Sequence, residues 1–173
     1  MFGFHVPTVI GKLERTVTWE KNWAASFTHL LKDVVEYDRK TNGTWSELDA
    51  ALKQLIGVVI PRLLGALQSD GRDIKPSLIH GDLWENNVGT DIEIGDMVIF
   101  DPGCVYAHNE MEFGTWRCSW ASQFNLPTYI EHYQRLIEPS EPAQEWDDRN
   151  RLYSINPYLT DSPGHPGSQS KQL

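Results

Sequence analysis

The sequence predicts an α+β domain that is mostly helical and carries one small β-hairpin at its functional end. Three observations support this fold class. Apolar residues recur every three or four positions along most of the chain, as they do on the buried face of a helix. Two apolar runs, at 78–79 and 97–100, are too short for helices and have the length of strands. Each run is followed by an aspartate, so we expect two strands that present a polar site.

The first half of the chain is predicted to contain two long helices after a strand-prone segment at 2–10. Thr18 is expected to cap the first helix, which runs to about residue 40. Its apolar residues share one face, and we interpret them as core: Trp19, Trp23, Phe27, Leu30, Leu31 and Val34. A capping box at 44–47 is expected to open the second helix. Pro61 is expected to end or kink that helix, because proline has no backbone N–H to donate.

The small hairpin is predicted to pair residues 87–89 with residues 97–100. The connection at 90–96 has some strand character at Ile92 and Ile94, and Gly95-Asp96 is typical of a turn. Such a hairpin would carry an asparagine at one end and an aspartate at the other. We therefore expect it to bring two oxygen ligands together.

The second half of the chain is predicted to contain three further helices. Asn109 is expected to cap the first of them, with Glu112 as its capping partner. Pro127 suits the first turn of the next helix, whose inward residues are Ile130, Tyr133, Leu136 and Ile137. The last helix is expected over 145–158, with an interruption at Pro157 and a solvated charged face at 147–149.

Composition excludes several classes of protein. The formal net charge of −9 argues against nucleic-acid binding, which requires a basic surface. Cys104 and Cys118 do not form a C-x-x-C pair, so we expect two reduced thiols and a cytoplasmic protein. No apolar run approaches the roughly 20 residues that cross a bilayer, and the first residues lack the features of a signal peptide. No membrane association is therefore expected.

Three oxygen-bearing side chains near the hairpin form the set that phosphoryl transfer requires. Asp82 follows the first strand, Asn87 lies five positions later, and Asp101 follows the second strand. Catalysis of this reaction is mostly positioning and charge neutralisation, with one carboxylate that orients the attacking hydroxyl and others that hold Mg²⁺. We expect Asp82 to be the catalytic residue, and Asn87 and Asp101 to be the metal ligands.

These residues belong to a longer motif series that resembles the fructosamine/ketosamine-3-kinase family. The series comprises His-Gly-Asp-Leu-Trp at 80–84, Asn87, Ile-Phe-Asp-Pro at 99–102 and Tyr-x-His-x-Glu at 106–110. The His-Gly-Asp and asparagine alone are shared with aminoglycoside phosphotransferases and choline kinases. The tryptophan, the Phe-Asp-Pro and the last motif make the match more specific. The resemblance spans about 2–159 and covers only the back part of the family's chain.

The resemblance implies a fold, a reaction and cofactors. It implies the C-terminal lobe of a protein-kinase-like fold over 1–160, with a catalytic segment at 77–112 and a flexible tail at 161–173. The implied reaction is ATP-dependent phosphorylation of the sugar O3 of a fructosamine or ribulosamine, on a glycated protein or a small ketosamine. This reaction leads to deglycation, and the implied cofactors are ATP and Mg²⁺.

The resemblance also implies roles for further residues, with alternatives that stay open. Trp84 is expected to stack on the sugar, or else to pack against its neighbours. His108 and Glu110 are expected to bind substrate, although helix capping and support of the loop are equally open. His80 is expected to be a buried structural histidine that braces the loop. Glu112 is either an acidic residue of the site or only a capping partner.

The sequence departs from the family in two places. No glycine-rich phosphate loop and no strand lysine with a glutamate partner precede the motif series, so we expect the N-terminal ATP-binding lobe to be absent. After Gly11, residues 12–17 replace a stretch in which the family tends to carry Gln and Asn. One alternative is thus a non-catalytic lobe that acts as a binding module, with a partner over its exposed lobe interface. Another is a small-molecule kinase of the choline or aminoglycoside type.

Overall fold

The protein is described here by a computed structural model that covers residues 1–164. Its helices are α1 (Trp23–Asn42), α2 (Ser46–Gln54), α3 (Ile60–Leu63), α4 (Pro127–Leu136) and α5 (Trp146–Gly164). Its strands are β1 (Thr8–Ile10), β2 (Leu13–Arg15), β3 (Ser77–Ile79), β4 (Val88–Thr90), β5 (Met97–Ile99) and β6 (Val105–Ala107). The strands pair as three small antiparallel sheets, β1 with β2, β3 with β6 and β4 with β5. The predicted mixed, helix-rich architecture is confirmed.

The core lies where α1 meets α5 and the 3₁₀ segment Asn109–Arg117. Trp23, Phe27 and Tyr153 are fully buried there, and their rings lie 5.3–6.2 Å apart in tilted or edge-to-face arrangements. Such arrangements are favourable because the positive edge of one ring meets the negative face of another. The 3₁₀ segment packs closely against α5 at Gly114. A Cβ at this position would lie only 2.8 Å from the backbone of Tyr153, so the close approach requires glycine. This core supports the segment that follows β6.

The first helix begins later than predicted. Its cap is Asn22, whose side-chain oxygen accepts a hydrogen bond from the Ala25 N–H at 2.9 Å. Trp19 therefore lies outside the helix and is 44% exposed, with its ring 5.9 Å from that of Tyr106. The other five residues of the predicted apolar face, from Trp23 to Val34, are buried as expected.

The second helical stretch differs from the prediction at its start, and at Pro61 it is distorted without ending, which is one of the two predicted outcomes. Trp45 is the N-cap residue of α2 and its side chain makes no capping bond, so the predicted capping box is absent. Pro61 does not end the helix, because a π-helical turn at Leu55–Val59 precedes it and α3 continues through it. Proline has no N–H to donate to the carbonyl one turn earlier. The wider π-helical turn accommodates this missing hydrogen bond within the helix.

This stretch also corrects the expectation about apolar runs. Ser46–Gln68 is long and apolar enough to cross a membrane by length and composition, and 28% of its most apolar window is buried. The sequence does not show this stretch as one continuous apolar run, because Lys53 and Arg62 interrupt it. One such helix is weak evidence for a membrane, since core helices can have the same composition.

The C-terminal helices are partly as predicted. Pro127 opens α4 as expected, but no residue of that helix is buried, and Leu136 is 75% exposed. Helix α5 passes through Pro157 and reaches Gly164, so residues 161–164 are helical and do not form the predicted tail. The rest of that predicted tail, 165–173, lies outside the described residues.

The predicted hairpin is confirmed, with strands at Val88–Thr90 and Met97–Ile99 that differ by one residue from the predicted bounds. Val88 pairs with Ile99 and Thr90 pairs with Met97. The connection has no strand at Ile92, whose side chain is 98% exposed. Strand β3 precedes this hairpin in the chain and β6 follows it. The two strands pair with each other, with Ser77 opposite Ala107. The two pairs together bring residues 80–87 and 100–103 to one place.

Candidate active site

The His80–Asp82 loop is held from behind by the half-buried carboxylate of Glu112. Glu112 accepts hydrogen bonds from the backbone N–H groups of His80 at 2.6 Å and Gly81 at 3.0 Å. Its pKa is raised by burial, against the effect of those backbone bonds. Glu112 is therefore not the predicted helix-capping partner of Asn109. Its role is to fix the backbone of the loop, because removing it would leave buried N–H groups without partners.

Glycine is required at position 81 for two reasons. Its φ of +78° lies in the left-handed region that other residues rarely adopt. A Cβ at this position would also lie 2.5 Å from the carbonyl oxygen of Gly103. The loop that contains Asp82 and the loop that contains Asp101 thus touch at the two glycines.

Asp82 and Asn87 are joined directly. The Asn87 amide Nδ2 donates to the backbone carbonyl of Asp82 at 2.7 Å and to its carboxylate Oδ2 at 3.2 Å. Burial raises the pKa of Asp82, and Asp101 adds to this effect, while Asn87, His80 and Arg15 oppose it. Since the amide nitrogen faces Asp82, the Asn87 carbonyl oxygen is the atom left for a cation.

Asp101 lies at the adjacent end of the hairpin. The Phe100 N–H donates to the Asn87 carbonyl at 3.1 Å, so the two predicted metal ligands are anchored to neighbouring backbone. Asp101 is exposed, and its φ of +57° is unusual for an aspartate, a kind of strain found at functional sites. The structure therefore brings all three predicted residues to one end of the hairpin.

The donor set fits a hard divalent cation. Among residues 1–164, no group of three or more His, Cys, Asp or Glu side chains lies close enough to hold a metal ion. Mg²⁺ does not require such a cage, since it typically takes one or two carboxylates with water and phosphate oxygens. One carboxylate from Asp101 and one amide oxygen from Asn87 agree with that preference.

His80 connects the two loops. Its ring Nε2 lies 2.9 Å from the carbonyl oxygen of Phe100, and its Nδ1 accepts the backbone N–H of Asp82 at 3.3 Å. The ring is half-buried, in contrast to a fully buried structural histidine. These contacts support the predicted role of His80 as a brace.

Arg15 is a buried cation at the same junction. Its guanidinium donates to the Gly103 carbonyl and, at 3.0 Å, to the Thr8 hydroxyl. Burial lowers the pKa of Arg15 to about 10, while Asp82 is the largest of the carboxylates that oppose this shift. Arg15 thereby attaches the β1–β2 hairpin to the loop that contains Asp101 and places a cation near Asp82, in the stretch where the sequence departs from the family.

A cavity of about 600 Å³ opens beside Asp82, between the β1–β2 hairpin and α5. Trp84 lies in its wall, as a sugar-stacking residue should. Trp120 also lines the cavity, although its position in the sequence did not indicate a site residue. The volume is in the usual range for small-molecule sites.

His108 and Glu110 are not in this cavity. Their side chains are almost fully buried, and Glu110 pairs with Arg149 at 2.7 and 2.9 Å. His108 lies between the Tyr153 hydroxyl at 2.8 Å and the Ser140 hydroxyl at 2.9 Å. This placement differs from the predicted substrate contacts, because both side chains form hydrogen bonds with other residues of the chain and do not face the cavity. They support the core beneath the loop.

The same ion pair corrects the prediction for residues 147–149. Arg149 is fully buried and also donates to the carbonyls of Ser140 and Pro142 at 2.8 Å. Burial, with a smaller effect of Arg149, lowers the pKa of His108 to about 3. A charged face in the sequence thus contains one residue that points inward. Its helical spacing from Leu152 and Tyr153 is the signal that could have identified it.

The sequence matches the model of the fructosamine kinase family over residues 1–164. This chain belongs to that family. It is 32% identical over 159 residues to a rice (Oryza sativa subsp. indica) protein named protein-ribulosamine 3-kinase, chloroplastic. The aligned region covers 91% of this chain and 42% of the rice protein. It is 31% identical over 165 residues to ketosamine-3-kinase of Mus musculus, with coverage of 91% and 47%.

Solved structures agree with the family at the level of fold. A fructosamine-3-kinase candidate from Thermobifida fusca matches with a TM-score of 0.66 and 21% identity over 99% of this chain and 55% of that chain. One from Haemophilus somnus matches with a TM-score of 0.67 and 16% identity, covering 99% and 53%. This fructosamine kinase family member therefore spans about half the length of the relatives that it matches.

Proposed function

We propose that this protein acts as the catalytic lobe of a phosphotransferase that transfers the γ-phosphoryl group of ATP to the O3 hydroxyl of a ketosamine. One observation carries the proposal. The Asp82 carboxylate borders a cavity large enough for a sugar amine, and is bonded to Asn87 at 3.2 Å beside the loop that bears Asp101. Burial raises the pKa of Asp82, and this makes its carboxylate a better proton acceptor than an ordinary aspartate.

Each residue has one task in this reaction. Asp82 orients the acceptor hydroxyl and receives its proton as the new O3–phosphorus bond forms and the bond from the γ-phosphorus to the bridging oxygen breaks. Asn87 and Asp101 would hold Mg²⁺, which neutralises charge on the phosphate oxygens when bound. His80 and Glu112 hold the loop, so that Asp82 has the required orientation before substrate arrives.

The substrate is inferred from the relatives. Two of them are named for ribulosamine and ketosamine as acceptors, and we propose a fructosamine or ribulosamine on a glycated protein or a small molecule. The 3-phosphate of such a compound is unstable and releases the amine, which would result in deglycation. A cytoplasmic location stays a prediction, since the rice relative is named as chloroplastic.

A second candidate function is a non-catalytic binding module. The observation that favours it is the apolar surface of the β4–β5 hairpin, where Ile92 is 98%, Met97 76% and Ile99 57% exposed. Apolar surface of this kind usually contacts another polypeptide. In this alternative, the chain itself is not a catalyst, and a partner polypeptide covers the exposed hairpin.

Asp82→Asn tests the proposal. We expect the variant to keep its unfolding temperature and to lose at least about a thousandfold in the rate of ATP-dependent phosphorylation of fructosyl-lysine. Asp148→Asn, at an exposed position of α5, is the matched control and should keep full activity. Survival of turnover in Asp82→Asn would refute the assignment of the base.

A calorimetric titration separates the two candidate functions. Submillimolar binding of Mg-ATP to this chain supports a catalyst, whereas its absence supports the binding module. A panel of fructosyl-lysine, ribulosyl-lysine, choline and kanamycin then tests the acceptor class. Phosphorylation of choline or kanamycin alone would indicate the small-molecule kinase alternative.

A further inference from the structure

The cavity beside Asp82 has two walls of opposite character. Lys12 and Arg15 of the β1–β2 hairpin contribute cations to one wall. Trp120 and Asp161 contribute an aromatic ring and a carboxylate to the other wall, which is formed with α5. A cavity with this polarity favours a ligand that carries a positive group at one end, directed toward α5.

Trp120 and Asp161 both line the cavity, and their segments are packed against each other. The Trp120 ring packs edge-to-face on Tyr158 of α5, with centroids 5.0 Å apart at 79°. Asp161 lies three residues after Tyr158, and side chains at this helical spacing share a face. Asp161 also interacts electrostatically with Cys118, two residues before Trp120. The segment that carries Trp120 therefore packs on the turn of α5 that carries Asp161.

The position of Trp120 is also linked to the loop that contains Asp82. Glu85 of that loop accepts hydrogen bonds from the Ser122 hydroxyl at 2.8 Å and from the Gln123 N–H at 3.1 Å. The Trp120 segment is thus joined to the loop on one side and to α5 on the other. It is a supported wall of the cavity, and Trp120 remains partly exposed in it.

We propose that Trp120 and Asp161 form the subsite for the protonated amine of the acceptor, and that they select a sugar amine over a neutral sugar. An ammonium group is attracted to the face of an aromatic ring, most strongly to tryptophan, and more strongly where water is excluded. Asp161 contributes a carboxylate to the lining of the same cavity, and a carboxylate attracts an ammonium group. The inference rests on the proposed function, since it specifies the amine end of the proposed substrate.

Equilibrium binding tests this subsite without requiring turnover. The full chain and the variants Trp120→Leu and Asp161→Asn are titrated with an N-alkyl 1-amino-1-deoxyfructose and with 1-deoxyfructose, which lacks the amine. We expect the unmodified chain to bind the amine roughly tenfold more tightly. Each variant should reduce this preference to less than about threefold, with the affinity for 1-deoxyfructose unchanged.

Two controls make the result specific. Trp45→Leu removes a partly exposed tryptophan that does not line this cavity, so it should keep the full preference. Asp161→Asn is nearly isosteric, and it tests the subsite even if Trp120→Leu folds poorly.

The failures are distinguishable. A preference for the amine that persists in both variants overturns the subsite and leaves the proposed function intact. Equal binding of both sugars by the unmodified chain also overturns the subsite and leaves the proposed function intact. No binding of the sugar amine by the unmodified chain refutes the ketosamine acceptor itself, and with it the subsite.

Discussion

The loop that carries Asp82 and the hairpin that carries Asp101 differ in how they are supported. The loop is bonded to Glu112 and receives the Trp116 indole N–H on its Leu83 carbonyl at 2.9 Å. The hairpin presents apolar side chains to solvent on both faces, and all of Met97–Ile99 is exposed. An isolated two-stranded hairpin is at best marginally stable in water. The difference teaches that hydrogen bonds within this chain hold the backbone that carries Asp82, whereas the hairpin that carries Asp101 has little packing of its own.

The largest expected effect comes from the ion pair beneath the loop. Arg149→Met leaves the buried Glu110 carboxylate without its cation, and should lower the free energy of unfolding by about 3–5 kcal/mol. Urea denaturation measures this loss. Arg151→Met removes an arginine that is exposed and should cost less than about 0.5 kcal/mol. Equal losses in the two variants would contradict the supporting role of the pair.

Removal of Glu112 should have the next largest effect. Glu112→Ala leaves two backbone N–H groups of the loop without acceptors, which should cost about 2–3 kcal/mol of stability. Hydrogen exchange should become faster at His80 and Gly81, because their N–H groups lose protection. The exposed Glu36→Ala is the control. Unchanged exchange at the loop would show that it does not depend on Glu112.

Acid should destabilise the core through His108. The folded pKa is about 3 and the ordinary value is 6.5, so below pH 6.5 the unfolded chain binds a proton that the folded chain does not. Stability is therefore unaffected above this pH and decreases as the pH falls, by about 2 kcal/mol at pH 5.

Unfolding at pH 7 and pH 5 checks this dependence on His108. His108→Gln, which cannot be protonated, should lose about 2 kcal/mol less than the unmodified chain between the two pH values. The control is His5→Gln, at an exposed position, which should keep the full loss. The assignment to His108 is wrong if both variants behave alike.

The smallest effect is expected on the hairpin. Met97→Thr should change the free energy of unfolding by less than about 0.5 kcal/mol, because the side chain is 76% exposed. It should nevertheless decrease the binding of a dye that reports exposed apolar surface. Val105→Thr, at a fully buried strand position, should cost much more. A large loss in Met97→Thr would show that the hairpin is packed after all.

The site was predictable where its signals are local. Asp82, Asn87 and Asp101 follow from a motif and from strand-like runs on either side, and the pairing of 88–90 with 97–99 confirms the expected hairpin. The predicted capping pairs at 44–47 and 109–112 are also local patterns, but both are absent. At 109–112 the reason is that Glu112 accepts hydrogen bonds from the loop at His80 and Gly81. A motif of capping residues predicts a helix start only when no stronger acceptor or donor lies nearby.

The sequence alone determined which oxygen-bearing side chains lie around the hairpin, because their order and spacing along the chain already bring them together. Only the tertiary structure decided which polar side chains are inside. Glu110 meets Arg149 across 39 positions, and Glu112 meets His80 across 32. Trp120 joins the cavity only because α5 and the Glu85 loop pack on its segment. Such contacts depend on burial and charge between distant segments, which no local pattern of residues records.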